Sequence, residues 1–437
     1  MTTMKRVLAL TDAPDDVSIF CQDTELLLFR IEQLPAARHG FEFFEQVYAR
    51  LREACDLSTV DMVVAEYTEA LPLLYLMRRD GHSCPALIIP HTNPYPLNIL
   101  CHLMLVAETA HPGDLVLCGS TNAAAAYEQV AGIPARNICT FGIRDIYRPG
   151  DRAAARARFG LPPDRPILLY TGRFMTDKGI GALLEAYHLL RRSVPDALLT
   201  MSVTHIDAVL YNQLAVQLEH VVLFQRLSRE ETVSLYNAAD LYVSAATSIF
   251  ETYGKAPLEA MACGLPAVLP RWDGFPYFVG EHNGALAAVQ HGDTGRTSPF
   301  DFAAVDPADL ARQCRRVLDR GKLTDYRTPA WATYEETMRV LRDVVGELTA
   351  RPRLTVPVNP SAALHRERYS PAVRAFLDHY RLETLEDLTV RTTELGLIDR
   401  RDPGDRTVLS GLHDEIFGIM AADPGRAGDD EKAGVTG

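Results

Sequence analysis

Ser248-Ile-Phe-Glu-Thr-Tyr-Gly-Lys-Ala-Pro-Leu-Glu-Ala-Met-Ala-Cys-Gly-Leu-Pro-Ala-Val268 follows the apolar run Leu241 to Ser244 and leads through a short loop into a helical pattern. Gly254 lets backbone approach a ligand closely. Pro257 suits a first helical turn, where its missing N–H costs nothing. Gly264 and Pro266 stop the helix. The product is a strand, a loop and a helix N-terminus, which is a ready site for phosphate. Glu251 lies before that helix and Glu259 just over one turn inside it. Carboxylates accept from paired hydroxyls, so two of them across such a junction can serve different parts of one elongated ligand. Taken alone, Glu251 would read as a cap and Glu259 as surface.

Working outward, Tyr170-Thr-Gly-Arg-Phe-Met-Thr-Asp-Lys-Gly179 repeats the pattern of strand end, glycine, loop and helix. Arg173 offers a rigid fork of donors and Lys178 a mobile charge, a pair that suits a diphosphate. Around these segments short apolar runs alternate with helical patterns, which argues for parallel sheets covered on both faces. Strands are expected near 6–11, 61–66, 85–90, 114–118 and 137–141, with helices near 41–54, 68–79 and 120–131. A second set follows the linker Tyr147-Arg-Pro-Gly-Asp-Arg152: strands near 166–171, 197–202, 221–225, 240–244 and 266–269, and helices near 178–193, 207–218, 228–238 and 255–263. Two doubly wound α/β domains in tandem place a cleft at the carboxyl ends of their strands.

This divides the 437 residues into an N-terminal domain over 1–147, a second domain over 148–328, a helical segment over 329–421 that returns to the first, and a disordered tail over 422–437. One long helix over 329–349 opens the third part, with Trp331 and Tyr334 at its start. The formal net charge is −13, and the first 150 residues carry 11 basic against 18 acidic side chains. That balance offers no basic stripe for a nucleic acid and no basic amphipathic helix for a membrane surface. No apolar run approaches the roughly 20 residues that span a bilayer. Eight cysteines with no CxxC pair, mostly inside apolar runs, read as free thiols of a reducing cytoplasm.

With both segments in view, the chain resembles the retaining GT-B glycosyltransferases of family GT4, which carry an E-x7-E motif. Glu251 and Glu259 match that motif, and Gly172-Arg173…Lys178-Gly179 matches the family's GR…KG segment. Gly142-Ile-Arg-Asp145, the Ala239-Asp-Leu-Tyr-Val243 strand and the Trp331 helix also match, so the resemblance covers roughly residues 60–348. It implies two Rossmann-like domains facing across a cleft, with the helical C-terminal extension added. Arg173 and Lys178 would hold the donor diphosphate, Glu251 the transferred sugar and Glu259 the ribose. Gly172 and the backbone around Tyr253, Gly254 and Lys255 would meet sugar and phosphate. Arg226 and Leu227, in the stretch near the nucleotide base, complete the donor set. The family works without a metal, and the nucleotide sugar is a co-substrate, so no cofactor is expected.

Pro90-His-Thr-Asn-Pro-Tyr-Pro96 follows the apolar strand Ala86 to Ile89. By the resemblance His91 lies near the acceptor and the reacting carbon, with Asn93 in the same loop. Three departures stand out. The loop Leu10-Thr-Asp-Ala-Pro-Asp-Asp16 lacks the glycines many relatives have there, leaving Thr11 and Asp12 to face the acceptor. No glycine follows Leu198-Leu-Thr-Met-Ser-Val203, and Leu223-Phe-Gln-Arg-Leu227 has none near the base. The reading is a retaining, metal-independent hexosyltransferase acting on a small soluble polar acceptor, in antibiotic-type or small-thiol biosynthesis. It allows a homodimer, and no nucleic-acid partner or stable membrane association. Two other readings remain: a catalytically degenerate GT-B scaffold, motivated by the missing glycine loop, and a nucleotide-sugar epimerase on the same fold.

Overall fold

The computed structural model describes residues 4–11, 14–31, 40–94, 97–137, 142–248, 251, 254–291, 303–323, 326–354, 358–395 and 402–422. The chain divides into two units, Met1–Thr140 with Glu335–Ile419, and Phe141–Tyr334 with Met420–Gly437.

The first unit runs β1 (Arg6–Leu10), α1 (Pro14–Phe20), β2 (Glu25–Phe29), α2 (Phe41–Ala54), β3 (Met62–Glu66), α3 (Ala70–Arg79), β4 (Ala86–Ile89), α4 (Leu97–Glu108), β5 (Leu115–Cys118), α5 (Thr121–Ala131) and β6 (Ala135–Asn137). Its sheet is ordered β2-β1-β3-β4-β5-β6 with every pairing parallel. β3, β4 and β5 are buried along their whole length, as strands covered on both faces must be. β2 lies on an edge and is half-exposed.

The second unit runs α6 (Arg152–Arg158), β7 (Ile167–Phe174), α7 (Ile180–Arg191), β8 (Leu198–Ile206), α8 (Ala208–Gln213), β9 (Val221–Gln225), α9 (Arg229–Ala238), β10 (Leu241–Val243), α10 (Lys255–Ala262), β11 (Ala267–Pro270), α11 (Phe275–Phe278), β12 (Gly284–Ala287), β13 (Val289–His291), β14 (Ala303–Val305) and α12 (Pro307–Leu318). Its main sheet, β12-β11-β10-β7-β8-β9, is again wholly parallel. The remaining helices are α13 (Tyr334–Thr349), α14 (Pro371–Tyr380), α15 (Leu385–Leu395) and α16 (Pro403–Met420). Among the described residues no helix is long and apolar enough to cross a membrane.

The two sheets are anchored in the same way. Asp114, just before β5, accepts from the Ala86 N–H that opens β4 at 2.9 Å and from Arg78 at 2.6 Å. Asp240, just before β10, accepts from the Ile167 N–H that opens β7 at 2.8 Å and from Arg156 at 2.6 Å. A buried arginine thus neutralises each carboxylate that ties neighbouring strand starts together. Strand order reverses between β1 and β3 in one sheet and between β7 and β10 in the other. Those switch points open crevices at the strands' carboxyl ends, where α/β sheets take ligands.

Several expectations need correction. Each main sheet has six strands where five were expected, since β2 and β12 were not anticipated. The strand expected over 137–141 is Ala135–Asn137 in the structure, and residues 138–141 lie outside those described. The helix expected over 329–349 begins only at Tyr334. Ahead of it, Ala332 and Tyr334 make ladder hydrogen bonds with Ile143 at 2.7 and 3.0 Å, which holds that stretch extended after a short turn at Ala330–Ala332. Arg144 stacks 4.2 Å over the Tyr334 ring, so the Gly142–Asp145 motif and the Trp331 segment meet. The tail expected over 422–437 lies outside the described residues apart from Ala422, as does Cys139; the other seven cysteines are free.

Candidate functional site

At the carboxyl end of β7 the strand bulges between Gly172 and Phe174. Gly172 has φ +153°, and the buried Tyr170 hydroxyl donates to the Arg173 carbonyl at 2.7 Å, which fixes the turn. The half-exposed Arg173 side chain reaches Asp177 at 2.8 Å. Lys178 closes the short turn Thr176–Lys178, and Gly179 follows in the left-handed region at φ +65°. A Cβ there would run into the Ala245 carbonyl oxygen, so only glycine lets this turn rest on the backbone beyond β10.

That close approach brings the two motif segments together: Lys178 Nζ pairs directly with the Glu251 carboxylate, both side chains being largely buried. Ser248 accepts from the Glu251 N–H at 3.0 Å and from the Trp272 indole at 3.2 Å, which shapes the loop. Gly254, at φ +71° and against Phe275, starts α10 without a side-chain cap, leaving a helix N-terminus beside the pair. Glu259 projects from α10 into a nest of tyrosines. Its Oε2 accepts from Tyr236 at 3.2 Å, and Tyr147 bonds it too. Tyr236 in turn meets Thr171 Oγ1 at 3.0 Å, which ties the nest to β7. Burial raises the Glu259 carboxyl above its ordinary range, against the opposing pull of Lys255, Tyr147, Tyr236 and Arg229.

Arg226 occupies the left-handed region at φ +53°, its N–H bonded to the Val203 carbonyl at 3.1 Å. The backbone there takes a shape that favours glycine even though the sequence supplies arginine. Among the described residues, no hydrogen bond or ion pair links Arg226 or Leu227 to Lys178, Glu251 or Glu259. Tyr253 lies outside the described residues, and so does Asp12.

In the first unit, Thr11 follows β1, Glu66 ends β3 and His91 follows β4. Thr11 Oγ1 donates to Glu66 Oε2, and Glu66 Oε1 lies 3.0 Å from His91 Nε2. The Tyr67 ring packs at a tilt of 52° against the His91 ring, 4.8 Å between centroids. Asn93 is fully buried in the same loop. Sequence reasoning brought out Thr11, His91 and Asn93 but missed Glu66 and Tyr67, as it missed Tyr147 and Tyr236. A charged residue closing the otherwise apolar strand Met62-Val-Val-Ala-Glu66 was the one available signal; the tyrosines gave none.

Two parallel six-stranded sheets with flanking helices, each with a polar cluster at its switch point, define the GT-B fold. Residues 151–322, most of the second unit, match the family described as Glycosyl transferases group 1. Over 176 residues the chain is 35% identical to the D-inositol 3-phosphate glycosyltransferase of Mycolicibacterium smegmatis, covering 38% of this chain and 39% of that protein. The chain thus spans about two fifths of the length of that curated relative. Among solved structures, sucrose-phosphate synthase from Thermosynechococcus elongatus superposes with a TM-score of 0.55 at 18% identity, covering 79% of this chain and 95% of the other. A trehalose-6-phosphate structure from E. coli bound with UDP-2-fluoro glucose gives 0.56 at 13% identity, covering 80% and 100%. Such identities carry the fold alone.

Proposed function

We propose that the chain is a retaining glycosyltransferase that moves a hexose-type sugar from a nucleoside-diphosphate sugar to a small polar acceptor in the cytoplasm. The observation that carries this reading is the Lys178–Glu251 pair beside the start of α10, at the switch point of the unit that matches the group 1 family. Arg173, Lys178 and the helix N-terminus take the diphosphate. Glu251, released from Lys178 as the phosphates arrive, accepts from the sugar hydroxyls, and Glu259 accepts from the ribose. Gly172 and the backbone at Gly254 and Lys255 meet sugar and phosphate. Thr11, His91 and Asn93 of the first unit meet the acceptor.

The bond from the anomeric carbon to the phosphate oxygen breaks, and a bond to the acceptor's heteroatom forms on the same face. The acceptor's proton passes to the leaving phosphate, so positioning and charge neutralisation supply the catalysis without a metal. The likeness to a D-inositol 3-phosphate glycosyltransferase favours a polyol phosphate as acceptor; we place the reaction in small-thiol or antibiotic-type biosynthesis as a proposal of its own.

The test is thermal shift with UDP, GDP, ADP and TDP, on the wild type and on Arg173→Ala and Lys178→Ala. One diphosphate at a hundred times its Kd should stabilise the wild type by about 2.7 kcal/mol. Transfer from the matching hexose donor to D-inositol 3-phosphate should fall by on the order of 3 kcal/mol in transition-state terms in either variant, with the fold intact. Full transfer in both variants removes the assignment. If none of the four binds, the chain is a binding protein on this fold.

A further inference from the structure

Trp331 stands out in the sequence yet takes no part in the donor chemistry. It lines a second cavity, of about 800 Å³, built entirely from residues of the second unit. Pro266 and Gly284, on its wall, stand at the amino ends of β11 and β12. Both strands run parallel to β7 and β10, whose carboxyl ends lead to Arg173, Lys178 and Glu251. The cavity therefore opens at the opposite edge of the sheet from those residues. Its size is that of a small-molecule site.

The lining has two chemical parts. Tyr277, 37% exposed, meets Trp331 edge to face, with 5.3 Å between ring centroids and 63° between planes. Rings set at that angle form a corner. A flat base stacks best between parallel faces, whereas a sugar ring can lay its C–H face on one wall and run its hydroxyls along the other.

The second part is positive. Arg320, Lys322 and Arg327 line the cavity against one carboxylate among the described residues, Glu281, and Arg316 already pairs with that at 2.5 Å. This is a local excess of cations in a chain whose formal net charge is −13. Arg320 donates to the Glu281 carbonyl at 2.6 Å, which keeps it on the wall. Lys322 donates to the Asn237 carbonyl at 2.9 Å, which leaves two of its three N–H groups. Burial outweighs the pull of Asp240 and lowers Lys322 to about 8, the state of a cation short of counter-charge. Arg327 is exposed, and among the described residues it makes no hydrogen bond or ion pair. A guanidinium fork beside an ammonium suits phosphate.

We propose that this cavity is a second small-molecule site, which takes a phosphorylated sugar or polyol with its ring in the Tyr277–Trp331 corner and its phosphate on Arg327 and Lys322. The site does not depend on the transferase reading.

Fluorescence tests it on the full chain. The protein has two tryptophans, and Trp272 is fully buried, so quenching by acrylamide reports on the half-buried Trp331. Glucose 6-phosphate or D-inositol 3-phosphate, at millimolar concentration, should shield Trp331. Affinity should fall about tenfold or more in Arg327→Glu, as the loss of a charge-assisted hydrogen bond implies, and should also fall in Tyr277→Ala. Lys178→Ala, which alters the donor residues at the other edge of the sheet, should leave the shielding unchanged. Should Arg327→Glu fail to fold, Arg327→Gln serves in its place. Shielding that persists at full affinity in both the Arg327 and Tyr277 variants overturns the proposal, and so does the absence of shielding by either compound. Inorganic phosphate or glucose acting as well as the phosphorylated sugar would overturn the two-part recognition. UMP binding more tightly than either compound would overturn the ligand class.

Discussion

On Glu259, burial raises the carboxyl above its ordinary value of 4.5 while Lys255, Tyr147, Tyr236 and Arg229 pull it down. The folded chain therefore holds this proton to a higher pH than the unfolded chain does. Its contribution to stability is present below the unfolded value and lost as pH rises through the folded one. In the proposed donor complex the ribose hydroxyls donate to this carboxylate, so on that reading ligand binding needs the charged form. Affinity for the stabilising diphosphate should thus fall in acid with a midpoint above 4.5. Glu259→Gln should remove that acid limb and weaken binding by about 1.5–3 kcal/mol, the range for a hydrogen bond to a charged group. Calorimetric titration across the acid range checks it; a midpoint at or below the ordinary glutamate value would contradict the assigned role. At this scale Lys178, Glu251 and His91 were legible because each sits at a strand end or helix start, where short spacings carry meaning. Glu66 was not, because its partners lie 55 and 25 residues away in sequence and meet it only once the strands are in order. Tyr147 and Tyr236 were hidden for the same reason: their hydroxyls acquire a task only when α10 delivers Glu259.

Elements were readable where burial leaves a pattern. β3, β4 and β5 are short continuous apolar runs, and their expected bounds fall within about a residue of those observed. Gly284-Ala-Leu-Ala287 is built mostly of small residues with little strand preference, and it gave no signal as β12. α4 is apolar almost all round, so it lacks the one-sided stripe that marks a surface helix. α12 was missed although its start carries strong marks: Asp306 caps the N–H groups of Ala308 and Asp309, and Pro307 follows at once. At β9 the missing glycine leaves the turn intact, because Arg226 takes the left-handed conformation. Gly179 tolerates no such exchange. A side chain there carries the left-handed penalty of roughly 1–2 kcal/mol and also collides with the Ala245 carbonyl. Gly179→Ala should lower stability by more than about 2 kcal/mol and abolish the diphosphate thermal shift, since Lys178 could no longer reach Glu251. Denaturant unfolding with and without nucleotide measures both; a variant that still responds to the diphosphate would show that the turn does not shape the site.

For the whole molecule, the division of the chain matters more than its length. The second unit is almost entirely one continuous stretch, Phe141–Tyr334, whereas the first is assembled from Met1–Thr140 and Glu335–Ile419. The reason lies in α4. This apolar helix packs against α3 and α5 of the same stretch, and its remaining face is covered from outside the first 140 residues. α15 packs along it with Leu385 and Leu388 buried. Glu108 at its end accepts from His365 and Tyr369, each at 2.6 Å, and Arg368 donates to the Ala107 carbonyl at 2.9 Å. Further back, Leu354 bonds to the Ser83 carbonyl at 2.9 Å, and Glu347 pairs with Arg136. A fragment of residues 1–140 would expose the outer side of α4 and leave Glu108 without these partners. It should therefore show no cooperative melting transition, and co-expression with residues 335–437 should restore one. A fragment of residues 141–334 contains Arg173, Lys178, Glu251 and Glu259 together with the Ile143 ladder to Ala332 and Tyr334. It should melt cooperatively and keep the thermal shift with the diphosphate that stabilises the whole chain. Scanning calorimetry on the two fragments and on the co-expressed pair tests this. Cooperative melting of 1–140 alone would mean that the C-terminal helices are an ornament of the first unit. A 141–334 fragment that folds but ignores the nucleotide would place part of the donor contact outside the second unit.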